Sequence, residues 1–404
     1  MSTAQIGVRC SACATPQPFD PFVHRCPQCG EALQIHPPGA SPLARRVPPV
    51  GAGEGMWRYL PLLPPLDADR VHRRVFLGEG GTPLLRAAAL EAALGCREIW
   101  LKDESRNPTG SFKDRGTATG VALLEQLGFD AVGTVSTGNM ARSVAAFAAR
   151  AGMRAEVWVG ASTPPHKLAP VAVHGARLRR IDAPYGEIYR ASMRWSERAG
   201  VPFINSDSAL RVEGQKTIAF EIAEQLAGHA PDWLLIPTSS GGNLSAIAKG
   251  FEEAAAGGWM EGRCRLAAVQ TSACDPIVRG WLAGADTPLE VPPAQTNEGA
   301  ISNPTPPSGA RALRWLRRTG GHAVAVPDHD IVAAQLRLAR LTGRFVQPAA
   351  AAPLAALERL LEEGVVNTGE RVVLLLTGAG GNAPAPAIEV GEPTSLEDVF
   401  DQLE

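Results

Sequence analysis

The chain has 404 residues, enough for two domains with cores of their own, and its 45% hydrophobic and 20% charged residues are typical of a folded globular protein. Its formal net charge of -2 and pI near 6.5 exclude the basic surface that binds nucleic acid. An apolar signal segment is absent, as is any run of about 18 apolar residues, so we expect a cytoplasmic protein with reduced thiols and no membrane partner.

Four cysteines near the N-terminus form two C-x-x-C pairs, Cys10 with Cys13 and Cys26 with Cys29. Two such turns can place four thiolates at the corners of a tetrahedron, which is the geometry of structural Zn²⁺. His24 is a spare candidate ligand. A ribbon of roughly 35 residues cannot build its own core, so the metal would supply its folding energy. The alternatives are two unrelated thiol pairs or a redox C-x-x-C, which would need a strand and helix around it.

Residues 37–65 are rich in proline and glycine and predict a linker between this ribbon and the main body. A turn-rich segment, residues 78–85 (GEGGTPLL), follows it. Neither segment carries chemistry by itself.

Residues 101–116 (LKDESRNPTGSFKDRG) join a predicted strand, residues 98–102, to a predicted helix. Ser111 and Asp114 are spaced as in a capping box, which places Lys113 in the first helical turn. Partial positive charge there, together with a desolvated cleft, lowers the pKa of a lysine. More of its amine is then free base, ready to form an imine. The alternative for a single lysine is a solvated position on an amphipathic helix.

Strands and helices alternate after Lys113, with strands predicted at residues 131–135, 155–159 and 178–181. Alternation predicts an open, doubly wound α/β sheet that binds ligands beyond the carboxyl ends of its strands. One such end carries Ser136, Thr137, Gly138 and Asn139 before a helix, where backbone amides suit a carboxylate. A capped turn without a ligand is the alternative.

A second strand end carries a glycine-rich loop. Residues 233–237 (WLLIP) predict a buried strand, and a helix is expected from Leu244. Between them lie Ser239, Ser240, Gly241, Gly242 and Asn243. Their backbone amides and hydroxyls predict a phosphate cup. The loop has no lysine or arginine and lacks the G-x-x-x-x-G-K-[ST] pattern, so a single phosphate fits it better than a nucleotide does.

A last strand is predicted at residues 371–376, and it ends in residues 377–381 (TGAGG). Residues 107–116 (NPTGSFKDRG) resemble the lysine motif of the fold-type II pyridoxal-phosphate enzymes, most closely that of the threonine synthases. Residues 78–85 resemble the G-x-T-P-L segment of that family, and residues 377–381 its T-G-x-G segment. The resemblance runs from about Cys10 to about Gly381.

The resemblance implies a homodimer of two doubly wound open α/β domains, like the tryptophan synthase β chain, with the zinc ribbon that some members carry. The expected divisions are a ribbon at residues 1–35, a large cofactor domain at residues 36–113 and 208–404, and a small domain at residues 114–207.

The resemblance also implies roles for individual residues. Lys113 would form the imine with pyridoxal phosphate, Asn139 would contact its ring hydroxyl, and Thr377 would face its pyridine nitrogen. Its phosphate would lie in the cup of Ser239, Ser240, Gly241, Gly242 and Asn243. Ser136, Thr137 and Gly138 would hold the substrate carboxylate. Residues 205–217 resemble the family segment N-S-x-x-x-x-R-x-E-G-Q-K-T, in which Asn205, Ser206 and Arg211 would grip a substrate phosphate.

The implied reaction converts O-phospho-L-homoserine and water to L-threonine and phosphate. Three residues depart from the family pattern: Met140 replaces a small hydroxyl residue, Ser208 replaces Asn, and Gln347 replaces Glu. They leave open another fold-type II enzyme, such as a cysteate-synthase-like enzyme or an amino-acid dehydratase. A zinc-ribbon binding protein on an inactive scaffold is a third hypothesis, against which the presence of Lys113 argues.

Overall fold

The computed structural model describes residues 6–36, 54–292, 296, 299–384 and 386, so most of the predicted linker lies outside the described residues. The strands are β1 (Gly7–Cys10), β2 (Pro16–Gln17), β3 (Leu33–His36), β4 (Leu84–Arg86), β5 (Glu98–Asp103), β6 (Ala131–Val135), β7 (Arg154–Gly160), β8 (Arg177–Ile181), β9 (Trp233–Pro237), β10 (Arg265–Thr271), β11 (His322–Val326) and β12 (Arg371–Leu376).

The α-helices of this part of the chain are α1 (Ala68–Arg74), α2 (Ala88–Leu94), α3 (Lys113–Gln126), α4 (Asn139–Ala151), α5 (Pro165–Ala172), α6 (Tyr185–Ala199), α7 (Ala209–Gln215), α8 (Thr217–Gln225), α9 (Gly242–Ala256), α10 (Pro276–Leu282), α11 (Gly309–Thr319), α12 (Asp328–Thr342) and α13 (Pro348–Glu362). None of them is long and apolar enough to cross a membrane.

The larger sheet has six strands in the order β11-β10-β9-β12-β5-β4. Five are parallel, as predicted, and β4 at the edge is antiparallel to β5, which the alternating pattern did not indicate. Strand β12 is almost wholly apolar because helices cover both faces of the sheet. Val372 and Leu374 pack on one side, against α12 and α13, whereas Val373 and Leu375 pack on the other, against α8 and α9.

The smaller sheet is parallel, with strands in the order β6-β7-β8. Strand β6 is buried throughout, because α3 and α4 pack on one of its faces and Ile188 of α6 and Phe203 pack on the other. Each of the two sheets therefore has helices on both faces, which confirms the predicted pair of doubly wound α/β units.

The N-terminal ribbon is a three-stranded antiparallel sheet in the order β2-β1-β3. Its apolar residues, among them Val8 and Ile35, join the same hydrophobic cluster as Leu210 of α7 and the interior of α3. Lys249 Nζ also donates to the carbonyl oxygen of Ile35 at 2.6 Å. The ribbon thus packs against the main body, a source of stability that the sequence analysis, which assigned the folding energy to the metal, did not predict.

A buried ion network fixes the start of α3. Arg115 donates to Glu104 at 2.6 Å and to Glu221 at 2.7 Å, and Lys102 Nζ lies 2.7 Å from Glu221. All four side chains are inaccessible to solvent. The two cations hold the pKa of Glu221 well below its usual range, against the effect of burial. The network holds β5, α3 and α8 together. Its member Arg115 lies two residues after Lys113.

We expect Glu221→Ala to lower the free energy of unfolding by about 3–5 kcal/mol, because it leaves Lys102 and part of Arg115 buried without their counter-charge. Denaturant unfolding measures this change. Asp130→Ala, which breaks an exposed 3.1 Å pair with Arg154, is the control and should cost about 0–1 kcal/mol. Equal effects of the two substitutions would show that the network does not anchor the helix.

Candidate active site

The carboxyl ends of three neighbouring strands meet at one edge of the larger sheet. Strand β12 lies between β5 and β9, with Leu376 opposite Asp103 and Leu374 opposite Leu235. The loop leading to Lys113 follows β5, the glycine-rich loop follows β9, and Thr377 follows β12. Parallel pairing therefore brings the three predicted motifs to one place.

Backbone hydrogen bonds join the lysine loop to the end of β12. Phe112 N donates to the carbonyl oxygen of Thr377 at 3.1 Å, and Ala379 N donates to that of Gly110 at 2.8 Å. Lys113 is the first residue of α3 and so lies in its first turn, as predicted, but the predicted capping box is wrong. Phe112 is the N-cap residue and makes no side-chain capping bond.

The Asp114 carboxylate is occupied elsewhere. It accepts hydrogen bonds from the backbone N of Thr109 at 2.7 Å and from its hydroxyl at 2.6 Å. Through these two hydrogen bonds Asp114 closes the turn before Lys113. The hydroxyl of Ser111 is buried, and no hydrogen-bond partner for it occurs among the described residues.

Lys113 is half-buried, and within the described ranges no carboxylate forms an ion pair with it. Burial, and to a smaller extent the charge of the nearby Arg211 guanidinium, lower the pKa of its amine to about 7. The Nζ atom lies 4.5 Å from the centroid of the Phe112 ring. About half of such an amine is free base at neutral pH, whereas a lysine in water, with a pKa of about 10.4, is almost wholly protonated.

A chain of amide side chains lies between Lys113's loop and helix α4. Asn139 Nδ2 donates to Gln347 Oε1 at 2.9 Å, and Asn382 Nδ2 donates to Asn139 Oδ1 at 2.9 Å. Asn382 also donates to the carbonyl oxygen of Gly110 at 3.1 Å and accepts a hydrogen bond from Arg142. These contacts fix the orientation of Asn139. Sequence reasoning missed Asn382 because no local pattern marks it.

Beside these amides opens a cleft of about 680 Å³, whose lining includes Thr109, Gly110, Arg142 and Asn382. The Ser136, Thr137 and Gly138 turn lies nearby, at the start of α4, with Ser136 Oγ accepting from Gly138 N at 3.3 Å. The cleft is therefore bordered by the loop that precedes Lys113 and by helices α4 and α5.

Two of the residues expected at a substrate phosphate are deeply buried. Asn205 Oδ1 accepts from Val135 N at 2.9 Å and from the Thr134 hydroxyl at 3.1 Å, so it secures the end of β6. Arg211 donates to the carbonyl oxygen of Lys113 at 3.1 Å and to the Thr117 hydroxyl at 2.8 Å. Arg211 therefore lies beside Lys113, while its Nε has no acceptor in the described part of the chain.

The glycine-rich loop has the shape of a phosphate cup. Gly241 has φ of 82°, and an added Cβ would lie 2.7 Å from the carbonyl oxygen of Ser308. An added Cβ at Gly242 would lie 2.7 Å from the carbonyl oxygen of Ser206. Helix α9 begins at Gly242, two residues before the expected Leu244. The side-chain O and N of Asn243 are both buried without a partner among the described residues.

These features fit the phosphate of pyridoxal phosphate, which needs converging N–H donors at a helix start and a close approach of the backbone. Lys113 supplies the amine that such a cofactor requires. Thr377 lies at the end of β12, where its carbonyl oxygen accepts the hydrogen bond from Phe112, and Asn139 and Gln347 are hydrogen-bonded to each other. The unpartnered donors of the loop and the amine of Lys113 therefore fit the phosphate and the aldehyde of this cofactor.

Two of the residues that depart from the family pattern show no polar contact through their side chains among the described residues. Met140 is buried in the apolar cluster of α3 and α4. Ser208 is the N-cap residue of α7 but makes no side-chain capping bond. Gln347 is different, because it contacts Asn139 and covers Gly378, where an added Cβ would lie 2.9 Å from its side chain.

The four N-terminal cysteines converge. Their Sγ atoms lie within 4.8 Å of one another, with Cys10 and Cys29 at 3.3 Å and Cys13 and Cys26 at 3.8 Å. Tetrahedral zinc with bonds of about 2.3 Å requires sulfur atoms about 3.8 Å apart. The group could hold a metal ion, and His24 is not part of it.

Comparison with known proteins agrees with this geometry. The family model for pyridoxal-phosphate dependent enzymes matches residues 75–378. The solved structure of the threonine deaminase of T.th. is similar, with a TM-score of 0.63, 28% identity, and coverage of 76% of this chain and 94% of that chain. Maize serine racemase, at 22% identity, a TM-score of 0.63 and coverage of 84% and 97%, shares the fold. Fold and site define a fold-type II pyridoxal-phosphate enzyme.

Several curated relatives indicate which family of pyridoxal-phosphate enzymes the chain belongs to. The threonine synthase of Methanocaldococcus jannaschii is 36% identical and covers 96% of this chain and 96% of its own length. That of Methanosarcina acetivorans is 34% identical, with coverage of 98% and 97%. The chain belongs to the threonine synthase family of pyridoxal-phosphate-dependent lyases.

We expect cofactor-free protein mixed with pyridoxal phosphate to gain a visible absorption band at a rate that rises with pH and levels off above about 7, because only the free base of Lys113 reacts. Stopped-flow absorbance measures the rate. Lys113→Ala should give no band and no borohydride-trapped lysine. An unchanged trapped adduct in that variant would show that another lysine holds the cofactor.

We also expect one tightly bound zinc ion per chain on Cys10, Cys13, Cys26 and Cys29, remote from the chemistry, because four thiolates leave no coordination position for water. Metal analysis of protein purified without chelator measures it. Cys26→Ser should lose the metal, whereas Cys96→Ala, at a buried cysteine outside the ribbon, should keep it. Metal-free wild-type protein would contradict the prediction.

Proposed function

We propose that this enzyme converts O-phospho-L-homoserine and water to L-threonine and phosphate. Phosphate leaves the γ carbon of the substrate, and water adds at the β carbon. The likeness to threonine synthases along nearly the whole chain supports this reaction. This reaction gives a role both to the Lys113 amine, which reacts with the cofactor, and to the Arg211 cation, which would bind the substrate.

The observation that carries the proposal is the position of Arg211. Its guanidinium is fully buried and lies 3.1 Å from the carbonyl oxygen of Lys113, and burial lowers its pKa to about 10. The Arg211 charge also lies close enough to the Lys113 amine to lower its pKa, so a substrate whose α carbon lies beside that amine would have its γ-phosphate in the same region. The Nε of Arg211, which has no acceptor in the described part of the chain, can donate a charge-assisted hydrogen bond to a phosphate dianion there.

The chain's own groups then have definite tasks. Bound pyridoxal phosphate withdraws electrons from the substrate's α carbon and makes its C–H acidic. The Lys113 amine, as free base, takes that proton and moves protons at the β and γ carbons. The backbone N–H groups at the start of α4 hold the carboxylate, and Arg211 stabilises the departing phosphate.

The remaining residue roles are part of the same proposal. Asn139 contacts the ring hydroxyl and Thr377 the pyridine nitrogen, where a neutral hydroxyl does not enforce a protonated ring. The cup residues hold the cofactor phosphate: Ser239, Ser240, Gly241, Gly242 and Asn243. The substrate contacts are Ser136, Thr137 and Gly138 for the carboxylate, with Asn205 and Ser206 beside Arg211 for the phosphate.

We further propose a cytoplasmic homodimer that acts on a phosphorylated amino acid and binds neither nucleic acid nor membrane. The ribbon would span residues 1–35, the small domain residues 114–207, and the cofactor domain the rest. The net charge of -2 supports the absence of a nucleic-acid partner, and the separate six-stranded and three-stranded sheets support the division into two α/β domains.

The direct test is to supply O-phospho-L-homoserine and measure inorganic phosphate and threonine together. Equal amounts of the two products are expected. A 2-oxo acid and ammonia from threonine would identify a dehydratase instead, and cysteate from O-phosphoserine and sulfite would identify a β-replacement enzyme. Either result without threonine formation would overturn the proposal.

Arg211→Ala should lower kcat/KM for O-phospho-L-homoserine about 10- to 150-fold, as expected for loss of a charge-assisted contact of about 1.5–3 kcal/mol. The visible spectrum of the bound cofactor should barely change, because the cofactor phosphate lies in the glycine-rich cup. Arg211→Lys should recover part of the activity, and Arg154→Ala on the surface should lose none. If the purified Arg211→Ala protein contained no cofactor, Arg211 would be a cofactor ligand and not a substrate ligand.

A further inference from the structure

Helix α11 starts against the phosphate cup, although it is distant from it in sequence. Ser308, the residue before the helix, donates its backbone N to the carbonyl oxygen of Ser240 at 2.9 Å. A Cβ added at Gly241 would lie 2.7 Å from the carbonyl oxygen of Ser308 and 3.1 Å from Cβ of Ala312. The first turn of α11 therefore forms one wall of the cup.

This turn carries a buried arginine whose hydrogen bonds are incomplete. Arg311 is 2% exposed, and its Nη2 donates to the Ser308 hydroxyl at 3.1 Å. Its Nε and Nη1 have no acceptor anywhere in the described residues. In the cup itself, the side-chain amide of Asn243 is also buried and unpartnered over the same part of the chain.

The surrounding carboxylates are already occupied, so Arg311 is not half of a salt bridge. Asp207 pairs with Arg25 at 3.0 Å and accepts from the Tyr189 hydroxyl at 2.8 Å. Glu31 pairs with Arg314 at 2.6 Å. A fully buried guanidinium with two unmet donors is costly unless an anion offsets it.

We propose that Arg311 is the cation of the cofactor's phosphate site, and that it acts on the dianion through Ser308 and the cup. The loop itself carries no lysine or arginine, so any cation that assists its backbone donors belongs to another segment. Arg311 is a positioning residue in this role. It selects pyridoxal phosphate over pyridoxal, which lacks the phosphate.

The experiment compares Arg311→Met with Arg314→Met, a matched control one turn nearer the C-terminus of α11 whose partner is Glu31 in the ribbon. Cofactor-free protein is titrated with pyridoxal phosphate and, separately, with pyridoxal. Arg311→Met should weaken pyridoxal phosphate binding about 10- to 150-fold and leave pyridoxal binding within about twofold. Arg311→Lys should recover part of the loss, and Arg314→Met should change neither affinity.

Denaturant unfolding of the same proteins separates this role from a structural one. Without cofactor, Arg311→Met should be at least as stable as wild type, because it removes unmet buried donors. With saturating pyridoxal phosphate it should be less stable than wild type. Equal loss of both affinities, or a destabilised cofactor-free variant, would overturn the proposal. Neither measurement requires turnover, so the result is independent of the reaction proposed above.

Discussion

The position of Lys113 depends on one backbone contact, between the turn that precedes α3 and the end of β12. The hydrogen bonds of Phe112 and Ala379 across this contact are possible only because β12 lies between β5 and β9. The glycine-rich cup comes from β9, the other neighbour of β12. A shift of β12 by one residue would therefore separate the amine, the cup and Thr377 at the same time, and would turn its side chains to the opposite faces.

The interior contains two kinds of buried cation. Lys102 and Arg115 have carboxylate partners within 2.8 Å and hold helices and strands together. Lys113, Arg211 and Arg311 have no carboxylate partner within the described ranges, and burial lowers the pKa of each. Such groups cost stability unless a bound anion or a chemical task offsets them. All three lie at or near the edge where β5, β9 and β12 end.

The sequence predicted most of the elements and much of the site. Apolar runs between turn residues gave β6, β9 and β12 with the bounds that the structure has. The predicted capping box does not form because the Asp114 carboxylate accepts hydrogen bonds from Thr109 instead. The spacing of Ser111 and Asp114 in the sequence does not reveal this alternative partner. Asn382 and Arg311 could not be found by local patterns, because tertiary packing alone brings them to Asn139 and to the cup.

The order of the strands also bears on how the protein is made. Strand β12 is the last strand of the larger sheet in sequence, yet it occupies a place between β5 and β9. Until residues 371–376 have left the ribosome, those two strands have no common neighbour and expose unpaired backbone. Such non-local pairing slows folding and leaves transient edges open to aggregation. A nascent chain of this enzyme therefore completes its main sheet and its catalytic edge in one late step.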